Sequence, residues 1–207
     1  EEGDIGMGYF PFFMDIEGRK GVIVGGGPVA ARKAEKLLAF GPRLSVIAAR
    51  FGEELRGIER SYSISLLEKD YEAGDLEGAA FVIAATDDGV LNGEIADWCR
   101  ARNTPVNVVD DLAACGFVFP ALVQRGRLSV GICTGGASPT AAAWLRRRLE
   151  AELPPGFARV LDRLAARRAA RGEAAAALSE PERAEQARRD FAAEMAAAAP
   201  LPAPPAA

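Results

Sequence analysis

Histidine is absent from this sequence of 207 residues. Its absence excludes Ser-His-Asp and Cys-His catalysis, histidine-ligated zinc or haem, and imidazole acid–base chemistry near neutral pH. Any catalysis must therefore use carboxylates, hydroxyls, thiols, backbone amides or a bound cofactor.

Cysteine and long hydrophobic runs are also scarce. The three cysteines, Cys99, Cys115 and Cys133, form no CxxC pair. This odd number argues against a disulfide framework or a structural zinc site and predicts a cytoplasmic location. No apolar run approaches the roughly 20 residues that span a bilayer, so no membrane partner is predicted. The net charge of −4 gives no indication of nucleic-acid binding.

The first part of the chain alternates apolar runs with amphipathic segments. The predicted strands are Lys20–Val24, Leu44–Ala48, Ser61–Leu67, Ala79–Ala85 and Pro105–Val109. Predicted helices cover Pro28–Phe40 and Gly89–Arg102. Such alternation with short loops is typical of a parallel sheet covered on both faces. The sequence therefore predicts a Rossmann-like α/β domain over residues 1–114.

The pattern changes after this domain. Strand-like runs at Gly116–Gln124 and Leu128–Thr134 are separated by a short Gly-containing loop, which predicts a β-hairpin. Ser138 and Pro139 suit the start of a helix that ends near Leu153. We assign residues 115–153 to a hairpin and helix region and residues 154–199 to a helical C-terminal region. Its two predicted helices are Phe157–Arg171 and Pro181–Ala199. The Pro/Ala-rich segment 200–207 is predicted to be a disordered tail.

A glycine-rich turn joins the first predicted strand to the first predicted helix. It reads Gly25-Gly-Gly27-Pro-Val-Ala30, a GxGxxA pattern. The first glycine permits a tight turn, the second lets the backbone approach a pyrophosphate, and Ala30 allows close packing of helix and strand. In this context we interpret the pattern as a dinucleotide site with the phosphates at the helix N-terminus. The alternative is a turn that binds no ligand.

The second strand lacks the acidic residue that usually holds the ribose of NAD. It is followed by Ala49 and Arg50, and the first carboxylate is that of Glu53. Arg50 is a candidate to bind the extra phosphate of NADP, or it is simply a solvated arginine. The residues alone therefore leave the choice between NAD and NADP open.

Polar residues follow two strands at the predicted carboxyl edge of the sheet, where ligands of such sheets bind. Thr86, Asp87 and Asp88 come after the fourth strand, and Asp110 comes after the fifth. We interpret Asp87 and Asp88 mainly as capping residues, with Thr86 or Asp87 as the N-cap. Asp110 is the better catalytic candidate, because no helix follows that it would cap.

A second turn combines hydroxyls and paired glycines before a helix. It contains Thr134, Gly135, Gly136 and Ser138. Such a turn suits an anionic ligand. A tight turn with an N-cap explains Ser138 equally well, but it explains Thr134 and the glycines less well.

The order of these motifs resembles the siroheme synthase dehydrogenase/chelatase family. The motifs that carry the resemblance are Phe10-Pro-Phe-Phe13, Gly21–Lys33, Ile83–Asp88, Asn107–Asp110, Phe117–Pro120 and Thr134–Pro139. The resemblance implies NAD-dependent oxidation of precorrin-2 to sirohydrochlorin. Many members of the family also insert Fe²⁺ as a substrate to give siroheme. The resemblance further implies a Rossmann domain, a small hairpin dimerisation region and a helical C-terminal region.

The resemblance also implies roles for single residues. Asp110 matches an aspartate implicated in dehydrogenation and chelation, where it would bind the metal transiently. Pro28, Val29, Ala49 and Arg50 match cofactor positions, which Gly25, Gly27, Ala30 and Thr86 complete. Thr134 stands where relatives have a serine, and with Gly135, Gly136 and Ser138 it is expected at the tetrapyrrole.

Two alternatives to the bifunctional enzyme stay open. One is a dehydrogenase that leaves iron insertion to a separate chelatase. The other is a non-catalytic NAD-sensing module, which predicts an acidic residue after the second strand and has no use for the hairpin. Because the Gly116–Thr134 hairpin would expose apolar surface in a monomer, we also predict an isologous homodimer.

Overall fold

A computed structural model describes residues 9–176 and 178–198 of the chain. Phe10–Phe119 form one compact unit, and the described residues from Pro120 onward belong to a second. The predicted domain boundaries themselves stay predictions. The strands of the first unit are β1 (Lys20–Val24), β2 (Arg43–Ala48), β3 (Ser65–Glu68), β4 (Phe81–Ala84) and β5 (Val106–Val108). Its α-helices are α1 (Pro28–Leu38), α2 (Glu53–Ser61) and α3 (Gly89–Ala101).

The five strands form one parallel sheet in the order β3-β2-β1-β4-β5. This order confirms the predicted Rossmann-like α/β fold. The chain reverses direction of travel across the sheet between β1 and β4, and ligands of such sheets bind at the carboxyl ends of the strands at this point. The loops after β1 and β4 are therefore expected to border the ligand-binding site.

Alternate residues of the central strands enter two separate cores. Val22 and Val24 pack with α3 residues such as Ile95 on one face of the sheet. Ile23 packs on the other face with the buried alanines of α1 and with Leu55 of α2. Because both faces are covered, the strands are continuous apolar runs.

Two sequence predictions in this unit were wrong in detail. Ser61, predicted to begin the third strand, is the last residue of α2, and the strand begins at Ser65. The helix was missed because only Leu55 is fully buried on its short apolar face. The N-cap of α3 is Asp88 rather than Thr86 or Asp87, since its Oδ1 accepts hydrogen bonds from the Val90 and Leu91 amides at 2.9 and 3.1 Å.

The second unit contains a hairpin and three helices. The elements are β6 (Ala121–Arg125), β7 (Leu128–Ile132), α4 (Pro139–Glu152), α5 (Phe157–Ala176) and α6 (Glu180–Ala198). The antiparallel hairpin is confirmed, but its first strand begins at Ala121. Gly116 and Phe117, predicted as strand, instead donate their amides to the Val106 carbonyl. The predicted tail 200–207 lies outside the described residues. Across the part of the chain that is described, no helix has the length and apolar content needed to cross a membrane.

Helices α5 and α6 are joined by buried ion pairs. Glu194 is only 4% exposed and pairs with Arg163 and Arg167, each at 2.6 Å. Asp190 is 7% exposed, pairs with Arg171 and lies 3.7 Å from Arg167. Buried carboxylates of this kind are strongly destabilising when their partners are lost.

We expect Asp190→Asn to lower the unfolding temperature at pH 7. The hydrogen bond from Arg171 holds the pKa of Asp190 below its usual value. The stabilisation is thus fully present above the unfolded pKa of about 3.9 and is lost as the pH falls through the lower folded value. Thermal unfolding followed by circular dichroism should show a wild-type advantage at pH 7 that shrinks towards pH 3. An advantage that grows with acid would contradict this assignment.

Candidate active site

The turn after β1 is built around three glycines with different surroundings. Gly25 has φ +131°, and a Cβ there would lie 2.2 Å from the Ala85 carbonyl oxygen. A Cβ on Gly26 would lie 1.9 Å from the Arg50 carbonyl oxygen. A Cβ on Gly27 would have no neighbour within 4 Å among the described residues. The first two glycines therefore serve the fold, whereas Gly27 leaves open space next to the backbone.

This open space lies at the N-terminus of α1. Gly27 is the N-cap, Pro28 occupies the first turn, and within the described residues neither a capping side chain nor a first-turn acidic residue is present. Ala30 is fully buried and lets the helix approach the sheet. A helix N-terminus free of protein acceptors binds phosphate through its amides and its dipole. The residues present thus fit the pyrophosphate of a dinucleotide.

The loop after β2 lies directly against the glycine turn. The Gly52 amide donates to the Gly26 carbonyl at 2.9 Å. Ala49 and Arg50 are exposed at the end of β2. No ion pair to Arg50 is found among the described side chains. Its guanidinium is thus available to an anion.

Thr86 follows β4 and is held in a local network. Its hydroxyl donates to Asn92 Oδ1 at 2.7 Å, and its amide reaches the same oxygen at 3.2 Å. The Asn92 side-chain nitrogen donates back to the Thr86 carbonyl at 3.1 Å. Asn92 is 6% exposed. Asn92 thus fixes the loop that borders Gly25. The sequence predictions did not identify this residue.

Asp110 lies in the turn after β5. It adopts φ +62°, the left-handed region that aspartate tolerates better than most residues. Its side chain is exposed and borders an open cavity of about 480 Å³. The remaining lining comes from the first half of α1, the end of β5 and the loop after β5: Val29, Arg32, Lys33, Asn107, Val108, Val109, Asp111, Leu112, Cys115 and Val118. The cavity thus brings the predicted cofactor residue Val29 and the predicted catalytic residue Asp110 together.

Lys33 is a cavity residue that sequence reasoning missed. Its Nζ donates to Asn107 Oδ1 at 3.0 Å and lies 3.9 Å from the centre of the Phe119 ring. Burial, together with the neighbouring Lys36, lowers the pKa of Lys33 to about 8. The sequence did contain one indication of its position: Lys33 follows Val29 by one helical turn, so both residues lie on the same face of α1.

Cys115 closes the loop that carries Asp110. Its Sγ donates to the Val108 and Asp111 carbonyls at 3.2 Å and accepts from the Val108 amide at the same distance. Among the described residues, no three cysteine or acidic side chains converge as a metal site. Asp110 is therefore a single carboxylate beside a cavity and not part of a resident metal cluster.

The Thr134–Ser138 turn belongs to the second unit. Thr134 Oγ1 donates to the Ser138 carbonyl at 3.1 Å and accepts from the Ser138 amide at 3.2 Å. Ser138 Oγ caps α4 by accepting from the Ala141 amide. Gly135 and Gly136 have φ +60° and +85°. The hydroxyls thus shape the turn, and their contact with a substrate stays a prediction.

Comparison with known proteins follows the same division of the chain. A family model described as "Putative NAD(P)-binding" matches residues 12–121, and one described as "Sirohaem biosynthesis protein central" matches residues 125–152. Siroheme synthase of Pseudomonas paraeruginosa is 44% identical over 151 residues, covering 73% of this chain and 32% of the relative. That of Thioalkalivibrio sulfidiphilus is 38% identical over 154 residues, covering 74% and 32%.

The chain therefore spans about a third of the length of these curated relatives. A solved structure of the precorrin-2 dehydrogenase SirC matches with a TM-score of 0.66 at 23% identity, covering 87% of this chain and 88% of that one. At this identity the likeness concerns the fold. The matches bear out the resemblance to siroheme synthases, and the chain belongs to the NAD(P)-binding family whose model covers more than half of its residues.

Proposed function

We propose that the chain oxidises precorrin-2 to sirohydrochlorin with NAD⁺ as hydride acceptor. The relatives that carry the names siroheme synthase and precorrin-2 dehydrogenase support this substrate. The observation that carries the proposal is the cavity, which joins the helix behind the glycine turn to the exposed carboxylate of Asp110. A dehydrogenase requires this combination of a dinucleotide site and a proton acceptor at one opening.

Different residues of the chain bind the cofactor and accept the proton. Two hydrogens leave the macrocycle, one as a hydride and one as a proton. A nicotinamide cofactor, when bound, takes the hydride. The amides at the start of α1 and the space over Gly27 bind its pyrophosphate. Asp110 takes the proton, because its exposed carboxylate borders the same cavity as the start of α1.

Iron insertion is a second candidate activity. It is favoured by the exposure of Asp110 at the edge of an open cavity. In this role the carboxylate would hold the incoming Fe²⁺, a substrate, while the pyrrole nitrogens lose their protons. A dehydrogenase that hands its product to a separate chelatase is the alternative.

Anaerobic incubation of the purified chain with precorrin-2 and NAD⁺ tests the proposal. We expect the absorbance spectrum to change to that of sirohydrochlorin, and addition of Fe²⁺ then tests for siroheme. NADP⁺ in parallel tests whether the exposed Arg50 selects the 2′-phosphate. NAD⁺ binding without oxidation of precorrin-2 would favour the sensing module and contradict the proposal.

We further propose a homodimer paired through α4. This helix buries Ala142 and leaves Trp144, Leu145 and Leu149 exposed, Trp144 by 53%. A second copy would cover these side chains in an isologous contact. Wild-type protein at micromolar concentration should have a dimer mass by light scattering, and Trp144→Glu a monomer mass. Phe191→Glu, an exposed aromatic on α6, is the control expected to stay dimeric. A monomeric wild type would overturn the proposal.

A further inference from the structure

The Lys33 ammonium is an unusual feature of the cavity because its protein partners are neutral. They are the Asn107 amide oxygen and the face of the Phe119 ring. No acidic oxygen of the described residues lies within 4 Å of it, although Asp110 borders the same cavity. A half-buried cation of this kind has lost part of its hydration, and no carboxylate among the described residues compensates by pairing with it.

Asn107 fixes the direction of this cation. Asn107 is 5% exposed, and its side-chain nitrogen donates to the Phe117 carbonyl at 3.0 Å and to Cys115 Sγ at 3.4 Å. These contacts orient the amide so that its oxygen faces Lys33. Lys33 has three N–H donors, and this oxygen uses one of them. The ammonium is therefore positioned at the cavity wall with donors to spare.

We propose that Lys33 binds a carboxylate side chain of the tetrapyrrole, with Asn107 as the residue that positions it. The inference rests on the proposed function for its ligand, since sirohydrochlorin and its precursor carry acetate and propionate groups. Arg32 also borders the cavity, but its side chain is exposed and well hydrated. Lys33 gains more from an anion because it has already lost water on folding.

Direct binding of sirohydrochlorin, followed by fluorescence at pH 7 without NAD⁺, tests the subsite. Lys33→Met keeps the aliphatic stem and should weaken binding about tenfold, the size expected for loss of one charge-assisted hydrogen bond. Lys33→Arg should bind within about threefold of wild type. Lys36→Gln, on the exposed side of α1, is the matched control and should bind like wild type. Binding of NADH should be the same in all four proteins, which reports an intact fold.

The pH dependence gives a readout that a merely structural lysine would not provide. The charged and titratable groups facing Lys33 are Arg32 and Lys36 from its own helix, and Asp110 and Cys115 from the loop after β5. Because burial lowers the pKa of Lys33 to about 8, the cation that binds the carboxylate is lost above this pH. The dissociation constant of wild type should therefore rise above this pH and level off about tenfold higher, at the value expected for Lys33→Met. The dissociation constant of Lys33→Arg should not change with pH over this range, whereas that of Cys115→Ser should rise as in wild type.

Failure of this inference can be told apart from failure of the proposed function. Equal binding by wild type and Lys33→Met, or a rise with pH that persists in Lys33→Arg, overturns the subsite and leaves the dehydrogenase proposal intact. Weaker binding by Lys33→Met supports the subsite whether or not the wild type oxidises precorrin-2. Failure of the wild type to bind sirohydrochlorin overturns both.

Discussion

Asp110→Asn should lower precorrin-2 oxidation by about 100-fold or more, because asparagine cannot accept the proton that leaves the macrocycle. Asparagine is preferable to alanine as the replacement. Asp110 has φ +62°, where asparagine is tolerated and alanine costs roughly 1–2 kcal/mol. The variant therefore removes the carboxylate without straining the turn. Turnover with saturating NAD⁺, measured alongside the unfolding temperature, checks the prediction.

Asp87→Ala is the matched control for this experiment. Asp87 is an exposed aspartate at the same edge of the sheet, after β4, and the N-cap of α3 is its neighbour Asp88. We expect this variant to keep wild-type turnover. If Asp110→Asn oxidises precorrin-2 as fast as wild type, Asp110 is not the proton acceptor. A fall in iron insertion as well would indicate that one carboxylate serves both reactions.

Gly27→Ala should raise the KM for NAD⁺ at least tenfold while leaving the protein folded. A Cβ at this position meets no described protein atom, and the backbone φ of −90° suits any residue. It would instead fill the space through which the pyrophosphate approaches the α1 amides. The stability change should stay within about 1 kcal/mol, because a less favourable N-cap is offset by a stiffer unfolded chain.

Gly26→Ala is the contrasting variant, one residue earlier. Its Cβ would lie 1.9 Å from the Arg50 carbonyl oxygen, so the β2–α2 loop must move. We expect destabilisation by about 3 kcal/mol, typical of overpacking against a rigid neighbour. Chemical denaturation and NAD⁺ titration of both variants check the pair. A folded Gly27→Ala protein with wild-type affinity for NAD⁺ would show that the open space is not the phosphate site.

The difference between these two glycines shows how far the sequence could predict the site. The GxGxxA spacing gave roles to Gly25, Gly27 and Ala30 but treated Gly26 as variable. Gly26 is required only because the loop after β2 crosses it, and the Gly52 amide bonds to its carbonyl. That contact joins parts of the chain about a strand and a helix apart, and no local pattern reports it.

Local chemistry was enough for most of the sheet. Apolar runs such as Lys20–Val24 and Phe81–Ala84 place apolar side chains on both faces of the sheet. Both faces must therefore be covered by helices. The short helix α2 was missed, since a single buried leucine gives a weak periodic signal. Thr86, Asp87 and Asp88 are all residue types that cap helices, so the sequence did not single out one of them. In the structure Asp88 caps α3, and Thr86 bonds to Asn92 instead.

The sequence by itself determined the class of the fold, the position of the glycine turn and the choice of Asp110 as candidate acid–base group. Each of these follows from spacing within a strand, a turn or a helix, and the absence of histidine narrowed the chemistry further. Only the tertiary structure decided that Lys33 and Asn107 meet, because 74 residues separate them along the chain. Their contact depends on how α1 packs over the end of β5, and burial there is what turns an ordinary lysine into a candidate binding group.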